Sequence, residues 1–366
     1  MKVRITGAGA SVPPMAMSNE RLLNIFPGPR KRPWTPADFE KKTGIRERRF
    51  SFDLDDRTGR AVFPDGYGEP PGPAGVLTES ALLEALAVAG VGAEDLDGLI
   101  IGCCTPDQLH FGSDAQLLHH RLGMRPDAAL LQIDIGCGGA IFCLQWAKEL
   151  ILSGARKRVA VVMTHVMSPL FDREMYSGGV EYDRRANEAF LTALLFGDGA
   201  GAVILEATDD DSASEMLSSI AINEYFEIAV RRAGGNLHPP GLPTTATHDH
   251  AFHIIGKRVA DAYAPVLKKV IDHALADARM DIGDIARFYP HQSNLRLIEQ
   301  LIDVGGLPPN RTATNVERYG NTSGASVLIL LAEDIRNGVT TLGSGDPVVI
   351  AAIGANLQYG THVIRL

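Results

Sequence analysis

Helix-like and strand-like stretches follow one another along the chain in an order that occurs twice. From Ala85 to Gly102, ALAVAGVGAEDLDGLIIG passes from an Ala/Leu helical pattern through Asp95-Leu96 to a short apolar run. From Ala274 to His291, ALADARMDIGDIARFYPH does the same through Asp284-Ile285, and each pair of positions is 17 apart. The register persists downstream. An apolar run, Ala129 to Ile135, breaks at Gly136, and a helical pattern starts at Cys137 with Gly154 at 17 positions on; a second helical pattern starts at Asn321 with Gly338 at 17 positions on. The apolar runs VAVVM and PVVIAAIG follow them. Strands alternating with amphipathic helices predict an α/β fold, and self-similarity at fixed spacing predicts two copies of one unit. The halves are assigned to residues 1–208 and 216–366. TDDDSASE at 208–215, with three successive acidic residues, reads as the solvated link between them. Residues 51–76, rich in Pro, Gly and Asp, and residues 172–190 read as insertions, placed either at a substrate entrance or as solvent-exposed decoration.

The repeat sets Cys137 and Asn321 at equivalent helix starts and His291 at a strand end, where open α/β sheets gather ligands. A thiol at a helix start meets unpaired N–H groups and the positive end of the helix dipole, which favour thiolate. The glycines at 136, 138 and 139 open the approach to the sulfur. The plainer readings are a core cysteine, a structural histidine and an asparagine N-cap. Cys103, Cys104 and Cys143 are read as core.

Six motifs then carry a resemblance: TGIRERR at 43–49, the Cys137 turn, FGDGAGAVIL at 196–205, PHQSNLR at 290–296, YGNTSGAS at 319–326 and IGANLQYG at 353–360. In their order and their span of nearly the whole chain, they resemble the ketosynthase III branch of the thiolase superfamily. The resemblance implies a duplicated thiolase-like fold with five αβαβα layers. It implies an acyl-thioester condensing enzyme in which Cys137 is the acylated nucleophile and His291 and Asn321 complete a triad. The backbone N–H groups of Cys137 and Ala355 would form an oxyanion hole. Phe111, Ile353 and Asn294 would contact substrate, Ile353 in place of a bulky aromatic gatekeeper and the Phe111 loop by crossing a two-fold axis into a partner's acyl tunnel. Arg296 would dock an acyl carrier protein. No cofactor is implied; acyl-CoA or acyl carrier protein thioesters are the substrates, and the active form is a homodimer.

The chemistry suits those residue types. Cysteine takes an acyl group as a new thioester that a carbanion cleaves later. Decarboxylating a malonyl thioester builds charge on its carbonyl oxygen, which imidazole and amide N–H groups can hold. The rival within the family is acyl transfer to a hydroxyl or amine with His291 as general base. Asn321 favours condensation, because an amide can donate to an enolate and a carboxylate cannot. Condensation without decarboxylation would need a carboxylate base, and PDQLHFGSD around Phe111 offers no Glu. A noncatalytic partner subunit would be expected to lack the nucleophile.

Several positions depart from the family pattern. Asp38 stands where a stacking Trp is common, with Phe39 beside it and Trp34 four residues earlier; Lys257 replaces a common Asn; Asp261, Asp303 and Val304 occupy positions that are often basic. These point to specialised polyketide or fatty-acid-like metabolism. The formal net charge of −9 argues against nucleic acid as a partner. With no run of about 18 apolar residues the chain is expected to be cytoplasmic, and four cysteines lack disulfide or zinc spacing. GAGASV near the start is read as a strand entering a turn rather than a dinucleotide loop, and His248, His250 and His253 as a cluster without metal-ligand spacing.

Overall fold

A computed structural model describes residues 1–28, 33–177, 184–209, 214–243 and 245–366. Two sheets dominate it. The first runs in the order β1 (Lys2–Ser11), β7 (Gly199–Thr208), β6 (Arg158–His165), β4 (Gly98–Cys103), β5 (Ala129–Ile133). The second runs β11 (Arg287–Pro290), β12 (Pro347–Gly354), β13 (Gln358–Arg365), β8 (Glu215–Asn223). Short ribbons, β2 (Met15–Ser18) with β3 (Glu47–Phe50) and β9 (Ala229–Arg231) with β10 (Phe252–Ile254), flank them.

The two sheets share one pairing scheme. In each, two antiparallel joins (β1·β7 and β7·β6; β8·β13 and β13·β12) are followed by a parallel one (β6·β4; β12·β11). The second sheet lacks a counterpart to β5 as a full strand. In its place Phe288 makes a parallel bridge with Thr312, and Ala313 N–H donates to the Phe288 carbonyl at 2.9 Å. Chain order is repeated as well: helix Pro73–Ala89, a short 3₁₀ turn and β4 in one half match helix Gly256–Ala278, a 3₁₀ turn and β11 in the other. Asp95 and Asp284 close the two turns alike, each accepting from the backbone N–H three residues earlier at 3.0 and 2.8 Å. Gly154 and Gly338 end the central helices with φ of 74° and 69°, the left-handed conformation that favours glycine.

Five layers follow from which face of each strand is apolar. Along β12, Val348, Ile350 and Ala352 join a core with the helices Gly139–Leu152 and Ser326–Arg336, while Val349, Ala351 and Ile353 turn to helices Gly256–Ala278 and Leu295–Gly305. Along β6, Val159, Val161 and Met163 face the same central pair, and Ala160 and Val162 face helix Pro73–Ala89. Period-two alternation thus makes each sheet apolar on both faces. The central helices lie between two sheets, so Ser326–Arg336 is buried at eight of its 11 positions and reads as apolar nearly all round.

GAGASV lies within and just beyond β1. A Cβ on Gly7 or Gly9 would overlap the carbonyl oxygen of Ala85 or Ala81, so these glycines let helix Pro73–Ala89 press directly on the strand. The loop read as an insertion at 51–76 packs Phe63 on Tyr67 with ring centroids 4.1 Å apart and walls a separate hollow with Thr105–Gln108. Within 172–190, residues 178–183 lie outside the described residues, as do 210–213 of the acidic link. No helix among the described residues is long and apolar enough to cross a membrane.

Candidate active site

The loops that follow β4, β5, β6, β11 and β12 meet around a cavity of about 860 Å³. Cys137, His291 and Asn321 all line it, with Ile353, Ala355, Asn294 and Arg296. Phe111 does not line it. That side chain is 91% exposed on a loop where His110 and Phe111 both have positive φ (73° and 61°), and its neighbour Leu109 is 68% exposed.

Cys137 precedes helix Gly139–Leu152, whose N-cap is Gly138. Its Sγ lies 3.5 Å from Ser323 Oγ. Burial is the largest influence on the thiol and pushes it up from its ordinary value; hydrogen bonds from Ser323 and Asn321 oppose that. The expectation of a helix-start thiolate is corrected here, because desolvation in this pocket outweighs the local donors. Backbone packing fixes the turn from the other side. A Cβ on Gly354 would overlap the Gly138 nitrogen and stand 3.0 Å from the Cys137 carbonyl carbon, so IGAN at the end of β12 lies directly on the nucleophile's turn.

Asn321 is held at both ends of its peptide unit. Its N–H donates to the Leu195 carbonyl at 2.8 Å and its carbonyl accepts from Gly197 N–H at 3.1 Å, which makes the start of FGDG a clamp. The clamp is itself braced by Arg48 of TGIRERR. This fully buried guanidinium donates to the Leu194 carbonyl, to the Met17 carbonyl at 3.2 Å and to Asn19 Oδ1 at 2.8 Å, and burial lowers it to about 9. Asp198, also fully buried, accepts from Ser51, Met167 and Ser168 N–H groups and ties the loop after β6 to the same motif. In the side chain of Asn321, Oδ1 accepts from Ser323 N–H at 2.8 Å, which leaves the NH₂ group toward Cys137. Asn321 is therefore not a helix N-cap; helix Ser326–Arg336 starts five residues later with Ala325 as its cap.

His291 follows β11, its N–H bonded to the Ala351 carbonyl at 2.8 Å and its carbonyl to the buried Tyr263 hydroxyl. Nδ1 is 3.0 Å from Ser326 Oγ. Burial drives its pKa down to about 3, with the Ser323 backbone opposing, so the ring is neutral at physiological pH. Asn294 caps helix Leu295–Gly305 by accepting from Leu297 N–H at 3.1 Å. Arg296 stands at the cavity mouth with its guanidinium on Glu299 (2.7 Å) and on the Lys41 carbonyl (3.0 Å). Lys257 pairs with Asp261 at 2.6 Å, and Asp38 closes a capping box with Thr35 at the start of helix Pro36–Thr43, while Trp34 packs on Phe39 and Lys42.

Four side chains escaped the reading of the sequence. Ser323, with φ of 52°, touches Cys137 and Asn321, and Ser326 holds His291. Cys104, expected in the core, lines the cavity, whereas Cys103 and Cys143 are buried in the core. His165 ends β6 inside the same cavity, 2% exposed, and burial with the neighbouring His291 lowers it to about 3. Both serines sit in YGNTSGAS and His165 ends an apolar run, so position gave a signal, but the direction each side chain takes did not. Asn356 and Leu357, just past Ala355, have φ of 57° and 61°, so backbone strain gathers at this site as it does at functional sites generally. Among the described residues no three His, Cys, Asp or Glu side chains converge as metal ligands; His253 Nε2 bonds the His248 carbonyl at 2.7 Å.

Comparison with known proteins agrees with this layout. Residues 131–223 match the family model described as 3-oxoacyl-[acyl-carrier-protein (ACP)] synthase III, and residues 275–366 match that for its C-terminal part. A β-ketoacyl-[acyl-carrier-protein] synthase III of Xanthomonas campestris pv. campestris is 30% identical over 362 residues, covering 99% of this chain and 98% of the relative. One from Vibrio vulnificus is 29% identical over 367 residues, covering 99% and 87%. Among solved structures, the 3-oxoacyl-[acyl-carrier-protein] synthase III of Aquifex aeolicus VF5 superposes with a TM-score of 0.77 at 26% identity over the whole of both chains. The priming β-ketosynthase of the R1128 polyketide pathway gives 0.78 at 26% identity, covering 100% of this chain and 96% of the other. With a duplicated five-layer fold and a relative of that identity aligned along its whole length, the chain belongs to the 3-oxoacyl-[acyl-carrier-protein] synthase III, or ketosynthase III, family.

Proposed function

We propose that this protein accepts an acyl group from a thioester onto Cys137 and condenses it with a malonyl thioester, releasing carbon dioxide. The observation that carries this reading is the orientation of Asn321. Ser323 N–H occupies its Oδ1, so the group turned to Cys137 and the cavity is a hydrogen-bond donor. A neutral His291 beside it supplies a second donor: the Ser326 hydroxyl can donate to Nδ1 and leave the ring proton on Nε2. Two neutral donors suit an enolate oxygen that appears only as decarboxylation proceeds. The backbone N–H groups of Cys137 and Ala355, brought together by the Gly354 contact, serve the oxyanion of the acylation step.

The cavity supports an acyl chain of some length, since its walls include Met167, Leu195, Phe196, Ile228, Phe252 and Ile353. Named relatives are β-ketoacyl-[acyl-carrier-protein] synthases, and Lys42, Arg231 and Arg296 at this chain's cavity suit a phosphate-bearing thioester carrier, coenzyme A or carrier protein. A homodimer completes the reading. β5 ends its sheet with one free edge, Leu131 on it is 40% exposed, and Leu109 and Phe111 project nearby, a combination that a second copy would cover.

The test is intact-mass spectrometry after incubation with acyl-CoA, followed by malonyl-CoA. The reading expects an acyl adduct on the wild type and none on Cys137→Ala, then its discharge with carbon dioxide. Discharge to an alcohol or amine, without carbon dioxide from any malonyl thioester, would instead establish acyl transfer.

A further inference from the structure

His165 and Cys104 form a second polar pair beside the triad that the acylation and condensation steps leave unused. β4 and β6 run parallel with Cys103 opposite Thr164, so the residues that follow, Cys104 and His165, emerge side by side at the strand ends. Cys104 Sγ lies 3.8 Å from His165 Nδ1. Burial holds the Cys104 thiol well above its ordinary value, so it remains an S–H, and Ser323 adjoins it as it adjoins Cys137. The imidazole packs on Phe196 with ring centroids 4.8 Å apart. Its other nitrogen, Nε2, is fully buried and has no hydrogen-bond partner among the described residues, although the ring lines the cavity.

A buried polar atom without a partner is costly, and few are found in folded proteins. The orphan belongs to a ring that lines the cavity with Phe196, Met167 and Leu195, and a small turn of that ring would present Nε2 to an occupant. With the thiol directed at Nδ1, Nε2 keeps the ring proton and offers a donor. A purely hydrocarbon acyl chain would leave that donor unmet, whereas an oxygen close to the thioester carbonyl would satisfy it.

We propose that His165, oriented by Cys104, is a specificity-determining residue whose Nε2 hydrogen-bonds an oxygen function of the substrate one or two carbons from the thioester carbonyl. Two substrates bear such an oxygen: an acyl donor carrying a 3-oxo group, and the malonyl thioester through its carboxylate. The inference rests on the acylation of Cys137 proposed above, and the experiment separates the two. Three rates are measured: loading of 3-oxohexanoyl-CoA and of hexanoyl-CoA onto Cys137 by intact mass, and carbon dioxide release from malonyl-CoA by the hexanoyl-enzyme.

For His165→Leu, the expectation is a fall of about 10- to 100-fold in 3-oxo loading or in carbon dioxide release, relative to hexanoyl loading. A fall in 3-oxo loading assigns the oxygen to the acyl donor; a fall in carbon dioxide release assigns it to the malonyl carboxylate. His165→Gln, which keeps an N–H donor at nearly the same reach, should recover most of the lost ratio, and it also serves if the leucine variant does not fold. Equal changes in all three rates, or no change, would overturn the proposal. Failure of the wild type to load either thioester would count against the proposed function itself.

Discussion

Replacing Gly354 by alanine tests how the nucleophile's turn is held. Gly354 has φ of −144°, which any residue adopts, so the demand for glycine comes from contact alone. The added methyl would overlap the Gly138 nitrogen, lie 3.0 Å from the Cys137 carbonyl carbon and 3.1 Å from Gly138 Cα, all of them backbone atoms with no rotamer to yield. Restoring ordinary contact requires the 136–139 turn and β12 to separate by on the order of 1 Å, a misplacement that costs roughly 10²-fold in rate at a reacting centre. The same shift parts the Cys137 and Ala355 N–H groups, and losing one oxyanion donor has a similar cost, about 10²- to 10³-fold. Overpacking should lower stability by about 1–3 kcal/mol, leaving the fold intact. Acylation followed by rapid-quench intact mass, alongside thermal unfolding, reads both effects. Gly283→Ala is the control, since a Cβ there meets nothing within 4 Å among the described residues, and it should acylate at the wild-type rate. A folded Gly354→Ala protein that acylates as fast as wild type would refute the reasoning.

Further expectations concern charge, pH and assembly. Asn321→Asp would keep the acceptor for Ser323 N–H but turn a carboxylate toward the cavity, so carbon dioxide release should fall roughly 10²- to 10³-fold, and by more than acylation does; equal losses in the two half-reactions would count against the donor role. His165 and His291 are held at about 3 and His362 at about 4, all below the unfolded value of 6.5. The unfolded chain therefore binds protons first, so the stability these groups contribute is present above pH 6.5 and lost as pH falls toward 3–4, at up to about 1.4 kcal/mol per histidine per pH unit. Asp114, raised to about 6 by burial, and Asp107, Asp134 and Asp198, raised by burial as well, work in the opposite sense, Asp114 mainly below pH 6, whereas the three histidines lose stability from pH 6.5 downward; urea unfolding at pH 7 and pH 5 should show lower stability at pH 5, and an unchanged or higher value would contradict this. Sedimentation should show a dimer at micromolar concentration that Phe111→Asp weakens, and a fully active monomer would dismiss the assembly.

Much of the architecture was legible because burial leaves a periodic trace. The 17-residue correspondences survive as matched helix, turn and strand units, and the aspartates in them close equivalent 3₁₀ turns. Motif residues also led to the right loops. The sequence could not show how those loops face one another. Cys104 and His165 follow strands whose register alone decides that they meet, and neighbouring positions on a strand point to opposite sides. The thiol's environment is hidden for a related reason: a helix start is a local feature, whereas the burial that raises Cys137 and the Asn321 and Ser323 hydrogen bonds that oppose it both depend on how distant segments pack. Asp38, where the family resemblance implies an aromatic residue, is explained by a capping box that closes within four residues. Two segments singled out as insertions divide differently, since residues 51–76 wall a hollow apart from the active-site cavity and part of 172–190 lies outside the described residues.

Cys137, and what discharges it, decides the reaction. The most direct measurement is the intact mass of the enzyme together with carbon dioxide released, first with an acyl-CoA alone and then with malonyl-CoA added. The expected result is an adduct of the acyl mass confined to Cys137, stable until malonyl-CoA arrives and then lost with one carbon dioxide per acyl group. An adduct that forms equally on Cys137→Ala, or a wild-type adduct that passes to a hydroxyl or amine while malonyl-CoA remains intact, would contradict it.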